Sequence, residues 1–260
     1  MERTLYSFKS KCPGGCEYCF AQWGEQSPDF PLIDTELTVN RAKKHIIYPC
    51  CDGDFNSNNL FFRYLERLSA QKNLIISIST KQLLPDDTLT FLKHIHESLR
   101  KNSGFLKLGV SITTKSMAEE IEPRVASYQE RLDMLSRIES IGIPLAVTMK
   151  PILPFISLEE YKSIIEDTAF VGRYLIGSLY VHPSTAFFKK YIDGKYVTTP
   201  RKVNWVNGQC EWLSVSQDLR LEQLQRYMTM KHLRGFFSDI GLIEDLCMSQ
   251  QCIGGSLDNA

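Results

Sequence analysis

The run Lys11-Cys12-Pro13-Gly14-Gly15-Cys16-Glu17-Tyr18-Cys19-Phe20 constrains this chain more than any other stretch. Its C-x3-C-x2-C spacing lets one short loop present three sulfurs together. Iron–sulfur clusters are held by cysteine thiolates, usually four of them. A run of three leaves one iron of a cubane cluster open to a small molecule. Gly14 and Gly15 let the backbone fold around such a group without side-chain clashes. Two other chemistries compete. Zinc sites combine a C-x2-4-C pair with a second pair elsewhere, and no C-x2-C or H-x3-5-H partner follows downstream. A redox C-x-x-C would use Cys16 and Cys19 and leave Cys12 unexplained.

A loop of this kind needs a scaffold, and the chain supplies alternating strand-like and helix-like runs, the pattern of a parallel α/β sheet. Strands are expected over 4–8, 45–49, 74–80, 106–112, 144–149 and 174–181. Helices are expected over 60–70 and 85–101 and after two capping-box patterns, Ser127-x-x-Glu130 and Ser157-x-x-Glu160. Gly142 closes the first of these, where a left-handed residue is cheap. The near-continuous β-branched run 74–80 suits a strand covered on both faces. Six strand–helix steps, against eight in a closed barrel, predict an α/β fold, a partial, open (β/α)6 TIM-like barrel with a C-terminal helical extension. After His182 the rhythm stops. Residues 189–212 are polar, aromatic and strand-poor, an amphipathic helix is expected over 219–237, and the tail from Cys252 reads as flexible. The expected organisation is a core barrel over 1–182 and an extension over 183–260 covering it.

Bulk properties narrow the class. With 260 residues, 43% of them hydrophobic, the composition is ordinary for a globular protein. Thirty basic and thirty acidic residues cancel, so no global field attracts nucleic acid. No run of about 18 apolar residues predicts a membrane helix. Met1-Glu2-Arg3-Thr4 lacks the apolar core of a signal peptide. The eight cysteines then read as reduced thiols and metal ligands, and the expected location is cytoplasmic.

The cysteine loop, with aromatic Tyr18 before its last cysteine, resembles that of the radical S-adenosylmethionine (SAM) superfamily. Further segments are similar in order and spacing to its spore photoproduct lyase-like branch. They are Ser79-Thr80-Lys81, Gly109-Val110-Ser111-Ile112, Glu122-Pro123-Arg124, Arg131-Leu132, Gly142-Ile143-Pro144 and Lys150-Pro151-Ile152-Leu153-Pro154. The resemblance implies the same partial barrel and a [4Fe-4S] cluster on Cys12, Cys16 and Cys19. SAM would chelate the open iron through its methionine amine and carboxylate. It implies a lyase- or transferase-like enzyme that cleaves SAM reductively and uses a 5′-deoxyadenosyl radical to abstract hydrogen from a substrate. It implies Lys81 at the SAM carboxylate, Ser111 at its amine or ribose, and Tyr18 and Phe20 beside the cofactor. Glu122 and Arg131 are expected either to bond SAM or to form a structural salt bridge. The electron would come from a flavodoxin or ferredoxin-type donor.

The end of the second strand departs from the pattern. The superfamily has a Gly-Gly-Glu-like segment there and the branch a Ser-Asp version; this chain has Pro49-Cys50-Cys51-Asp52-Gly53-Asp54. Asp52 is the candidate acceptor for the SAM ammonium. Cys51, or Cys50, is the candidate hydrogen donor to a product radical, the role a cysteine in the matching segment has in that branch; the alternative is a small buried apolar residue. Cys210, Cys247 and Cys252 are either an auxiliary metal site or unrelated thiols. The basic and aromatic run Phe187-Phe188-Lys189-Lys190-Tyr191, with Arg201-Lys202, is either a stacking surface for nucleobases or a solvated loop over the barrel mouth. The substrate stays open, with nucleic acid, nucleotide and peptide as candidates. A non-catalytic iron–sulfur or zinc-binding module is the other class, against which Lys81, Ser111 and Glu122 speak.

Overall fold

The computed structural model describes residues 1–5, 12–19, 43–50, 53–55, 59–201 and 212–254. Its parallel sheet runs β1 (Glu2–Leu5), β2 (His45–Tyr48), β3 (Leu74–Thr80), β4 (Phe105–Ser111), β5 (Leu145–Met149) and β6 (Arg173–Ile176) in sequence order. Three strands, β7 (Tyr180–Val181), β8 (Thr198–Arg201) and β9 (Trp212–Val215), form a small antiparallel sheet in the order β7-β9-β8. A last strand, β10 (Arg234–Phe236), returns to the main sheet and pairs parallel with β6. Among the described residues no hydrogen bonds join β1 to β10, so the fold is a partial TIM-like barrel.

The helices are α1 (Asn59–Ser69), α2 (Asp86–Lys101), α3 (Ala118–Ile121), α4 (Tyr128–Ser140), α5 (Leu158–Asp167), α6 (Ala186–Tyr191), α7 (Asp218–Met230) and α8 (Asp239–Gly254). Helix α4 starts with the full capping box. Ser127 accepts from the Glu130 amide, and the Glu130 carboxylate accepts from the Ser127 amide at 2.7 Å. Helix α5 keeps only half of it. Ser157 caps the Glu160 amide at 3.1 Å, but the Glu160 carboxylate turns to Thr114 Oγ1 (2.8 Å) and the Lys115 amide (2.7 Å) in the loop after β4. Gly142 takes φ +77°, as expected past the end of α4.

Three expectations need correction. The expected strand over 174–181 is two strands, because the chain leaves the main sheet at Gly177 and re-pairs as β7 with β9. The helix expected over 219–237 stops at Met230. His232 turns left-handed (φ 59°), the Leu233 amide returns to the Met228 carbonyl at 2.8 Å, and the chain straightens into β10. Of the tail from Cys252, residues 252–254 end α8 and the rest lies outside the described residues. The region past His182 also carries strands where few were expected.

Alternation along the strands divides the core. One face of the sheet packs in the main cluster with Leu92, Ile95 and Leu99 of α2, Leu135 and Ile138 of α4, and Ile164 of α5. On the other, inner face Ile75, Phe105 and Ala146 meet Leu242, Ile243 and Leu246 of α8. Farther along that face lies Lys107, 0% exposed, whose ammonium is 3.2 Å from Asp239 and 3.4 Å from Ser77 Oγ. A buried ammonium survives only with such a partner. Asp239 is the first residue of α8, where a carboxylate also complements the helix dipole. Among the described residues no helix is long and apolar enough to cross a membrane.

Candidate functional site

Barrel sites form where strands end at their carboxyl side, and the cysteine loop lies past that end of β1. The loop turns on itself, with the Cys19 amide donating to the Cys16 carbonyl at 3.0 Å. Gly14 explains how the sulfurs share space. A Cβ there would stand 3.6 Å from the Cys12 sulfur, 3.7 Å from the Cys16 sulfur and 2.9 Å from Val125. Both sulfurs therefore lie within ordinary contact distance of one point beside Gly14, and it is Val125 that a side chain there would crowd. Gly15, at φ +59°, lies under the guanidinium of Arg124, whose Nε a Cβ would approach to 2.9 Å. The Glu17 amide donates to the Ile121 carbonyl at 2.9 Å. The segment from Ile121 to Val125 is thus the floor on which the loop rests, and this is the physical content of Glu122-Pro123-Arg124. Burial pushes the Cys16 thiol up to about 12 despite the opposing pull of Lys81, and burial raises Cys12 as well. A bound metal group would displace these protons. Among the described residues no three His, Cys, Asp or Glu side chains gather around one point as a single ion requires.

Glu122 is the hub of the site. It is 2% exposed and takes hydrogen bonds from the Tyr18 and Thr113 hydroxyls and from Arg131 Nη1 at 2.8 Å, and the Lys81 ammonium stands 3.0 Å away. Burial alone would raise its pKa. The charges of Lys81 and Arg131, with the Thr113 and Tyr18 hydrogen bonds, outweigh burial and hold it at about 2. Four segments meet there: the cysteine loop through Tyr18, the end of β3 through Lys81, the loop after β4 through Thr113, and α4 through Arg131. Arg131, 0% exposed, also donates to the Ser111 carbonyl at 2.9 Å, while its Nε and Nη2 are buried without a hydrogen bond among the described residues. Of the two expectations for Glu122 and Arg131, the geometry has the ion pair between them.

Lys81 is held by its backbone. Its amide donates to Asp54 at 3.0 Å and its carbonyl accepts from the Ala126 amide at 3.0 Å. Its ammonium lies 5.8 Å from the Tyr18 ring centre and within ion-pair distance of Glu122, but off the line of a hydrogen bond, so among the described residues its protons remain untaken. Ser111 ends β4 and is buried, on the same face as Lys107 by two-residue alternation.

Asp54 was not among the expected site residues. Buried at 9%, it accepts from the Thr80 hydroxyl, the Lys81 amide and the Phe55 amide at 2.6 Å, and so ties the end of β2 to the end of β3. Burial raises its pKa, against those hydrogen bonds. Its signal in the sequence was position, one residue before the buried Phe55. Phe20, Cys51, Asp52 and Cys210 lie outside the described residues, as does the Cys252 side chain. Cys50 is half-buried against the main core, and its carbonyl accepts from the Gly53 amide at 3.4 Å. Cys247 is buried in the apolar cluster between α8 and the sheet.

The aromatic run at 187–191, expected as either a stacking surface or a solvated loop, is a helix, α6. Phe187 is buried and meets the Tyr18 ring edge-on at 5.9 Å, and Tyr191 stacks on Phe155 at 4.6 Å. Lys190 pairs with Glu120 at 2.7 Å. Phe187 packs the extension against the cysteine loop, and Tyr191 packs it against the segment after β5. His182 bonds Ser184 at 2.7 Å and sets its ring edge against Trp212.

No protein family model matches the chain, and no curated protein does. Solved structures do. A spore photoproduct lyase single mutant matches with a TM-score of 0.65 at 14% identity, covering 88% of this chain and 75% of that one. A spore photoproduct lyase double mutant with bound AdoMet and dinucleoside spore photoproduct matches with a TM-score of 0.64 at 13% identity, again over 88% and 75%. Streptococcus suis SuiB bound to S-adenosylmethionine matches with a TM-score of 0.56 at 13% identity, over 91% of this chain and 49% of its own. At these identities the likeness is one of fold, and the chain has the partial-barrel fold these proteins share.

Proposed function

We propose that this chain is a radical SAM enzyme of the spore photoproduct lyase-like kind, with a [4Fe-4S] cluster on Cys12, Cys16 and Cys19. The observation that carries the reading is the cysteine loop at the mouth of a barrel, with the Cys12 and Cys16 sulfurs both close to one point beside Gly14. Its support is the shared fold with structures that hold AdoMet. The donor set fits the group, since thiolates are the ordinary ligands of such clusters. The chemistry a cluster supplies when bound is one-electron cleavage of the SAM sulfonium to methionine and a 5′-deoxyadenosyl radical.

The chain's own residues do the positioning. Glu122 holds Tyr18 and Lys81 from one carboxylate, so the loop and the cation keep a fixed relation. Lys81, with untaken protons at a strand end, receives the SAM carboxylate as a charge-assisted donor. Ser111, at the end of the neighbouring strand, takes the amine or ribose. Asp52 accepts from the SAM ammonium, and Tyr18 and Phe20 flank the cofactor. Cys51, or Cys50, returns hydrogen to the product. Residues 1–182 form the core, and the extension over 183–260 excludes water from the mouth, with Phe187 against Tyr18 as its first contact. A flavodoxin or ferredoxin-type protein supplies the electron, and the protein works in the cytoplasm.

The test is anaerobic reconstitution with iron and sulfide, then dithionite and SAM, with 5′-deoxyadenosine read by mass spectrometry. The wild type is expected to form it and C16A is not. A protein with a full cluster that forms none is a binding module, and one that takes zinc in preference is a zinc module; either result ends the enzyme reading.

A further inference from the structure

We propose that a polar niche over Gly109, on the inner face of the barrel, holds an alcohol hydroxyl of the substrate. Gly109 lies inside β4, between Lys107 and Ser111 on that face, and pairs with Ser79 of β3 and Ala146 of β5. Glycine weakens a strand interior and often marks a place where a ligand or another backbone comes close. Here side chains come close. The point where a Cβ would stand is 2.6 Å from Ser79 Oγ, 2.9 Å from Thr148 Oγ1 and 3.2 Å from Lys107 Nζ. Polar atoms from three strands thus turn to one place, no two of them farther apart than about two hydrogen-bond lengths. One oxygen atom can bridge such a set.

The niche has an unmet partner. Thr148 is 6% exposed, and among the described residues its hydroxyl has no hydrogen bond. A buried hydroxyl left so costs free energy that an apolar residue of the same shape avoids. Lys107 directs two of its three protons to Asp239 at 3.2 Å and Ser77 at 3.4 Å, which leaves a third for the niche. Ser79, next to the last residue of β3, is half-buried, so solvent reaches this layer, one two-residue step below Lys81 and Ser111. Charge narrows the occupant. Asp239 already neutralises Lys107, so an anion meets no unmatched cation here. Hydrogen-bond count narrows it further. An ammonium only donates, while serine and threonine hydroxyls donate or accept. An alcohol oxygen accepts from Lys107 and from one hydroxyl and donates to the other, which satisfies all three. A carbonyl oxygen has two lone pairs and no proton, so one of the three stays unmet.

The proposal rests on the enzyme reading only in calling the occupant the substrate, so its main test uses no cluster. The full chain is labelled at lysine nitrogen, and the Lys107 ammonium is followed by NMR while ethylene glycol, acetamide or acetate is added. Crystals are soaked in each probe. Ethylene glycol is expected to shift the Lys107 signal saturably and to place one oxygen within hydrogen-bond distance of Ser79, Lys107 and Thr148. T148V is expected to weaken the glycol about tenfold, the worth of one hydrogen bond. G109A, which puts a methyl in the niche, is expected to abolish the shift. An ordered water only, in every soak, overturns the proposal. So does acetate or acetamide binding as well as the glycol, or T148V titrating like the wild type. Glycol in the crystal without a saturable shift in solution is an adventitious additive only and overturns it too. A final arm adds SAM to the reconstituted protein, and SAM ribose in the niche would assign it to the cofactor and overturn the substrate claim. If crystals or the G109A protein fail, the titration of wild type against T148V still decides. Failure to form 5′-deoxyadenosine leaves that titration untouched, so the two readings fail separately.

Discussion

Glu122 is a buried carboxylate that three hydrogen bonds and the Lys81 ammonium hold ionised, and its stability contribution carries a pH signature. Its pKa falls from the ordinary 4.5 to about 2 in the folded state. A depressed carboxylate stabilises fully above its unfolded pKa and loses that contribution as pH falls through the folded one. The stability of the protein should therefore drop between about pH 4.5 and pH 2, with a contribution of about 3 kcal/mol from this residue. Glu122→Gln should flatten that limb of the profile and cost about 3–5 kcal/mol at neutral pH, because Arg131 stays buried without its anion. Chemical denaturation across the pH range reads both. An unchanged acid limb in the variant would show that another group carries the dependence. The partners of Glu122 are illegible from the residues alone. Tyr18 lies 104 positions away and Arg131 nine, and only the resemblance marked Glu122-Pro123-Arg124 before the approach of Arg124 to Gly15 was visible. Asp54 was missed for the opposite reason, since Asp52 two residues earlier fits the same local pattern.

At the scale of elements, the helix starts are legible because their chemistry is local. Ser127→Ala removes the side-chain half of the capping box on α4, leaving the backbone amide to donate to Glu130, and should lower stability by about 1 kcal/mol, measured as a shift in denaturation midpoint. Gly104, just before β4, is a harsher case. A Cβ there would land on the Leu74 carbonyl oxygen, backbone against backbone, where no flexible side chain can yield. Gly104→Ala should cost more than about 2 kcal/mol, and a wild-type midpoint would contradict the close β3–β4 crossing. Strand β3 was readable to the residue because its apolar run is continuous and bounded. Strand β10 was not. It is three residues long and its partner β6 lies some sixty positions back. The apolar spacing of Leu221, Leu224 and Met228 also continues through Leu233, so nothing in the pattern announces the left-handed turn at His232.

The whole molecule is held shut from inside. Helix α8 fills the inner face of the sheet with Leu242, Ile243 and Leu246, and Asp239 at its start neutralises Lys107. Burial works against the Asp239 charge, but Lys107, Tyr48 and Ser77 outweigh it and keep the acid below the usual range. Asp239→Asn should therefore cost about 3 kcal/mol or more by stranding a buried ammonium, while the double substitution with Lys107→Met should recover part of the loss. A double-mutant cycle on denaturation midpoints checks this, and strict additivity would contradict the pairing. The barrel class was legible from the strand–helix rhythm, whereas its internal plug was not, because Asp239 and Lys107 are 132 positions apart.

The central claim, that Cys12, Cys16 and Cys19 hold a cluster with one iron open to SAM, is tested most directly by electron paramagnetic resonance on the reconstituted, dithionite-reduced protein. The account predicts about four irons and four sulfides per chain, a reduced-cluster signal that changes on adding SAM, and loss of that signal in C16A. A signal indifferent to SAM, or iron that fails to bind where zinc does, would contradict it.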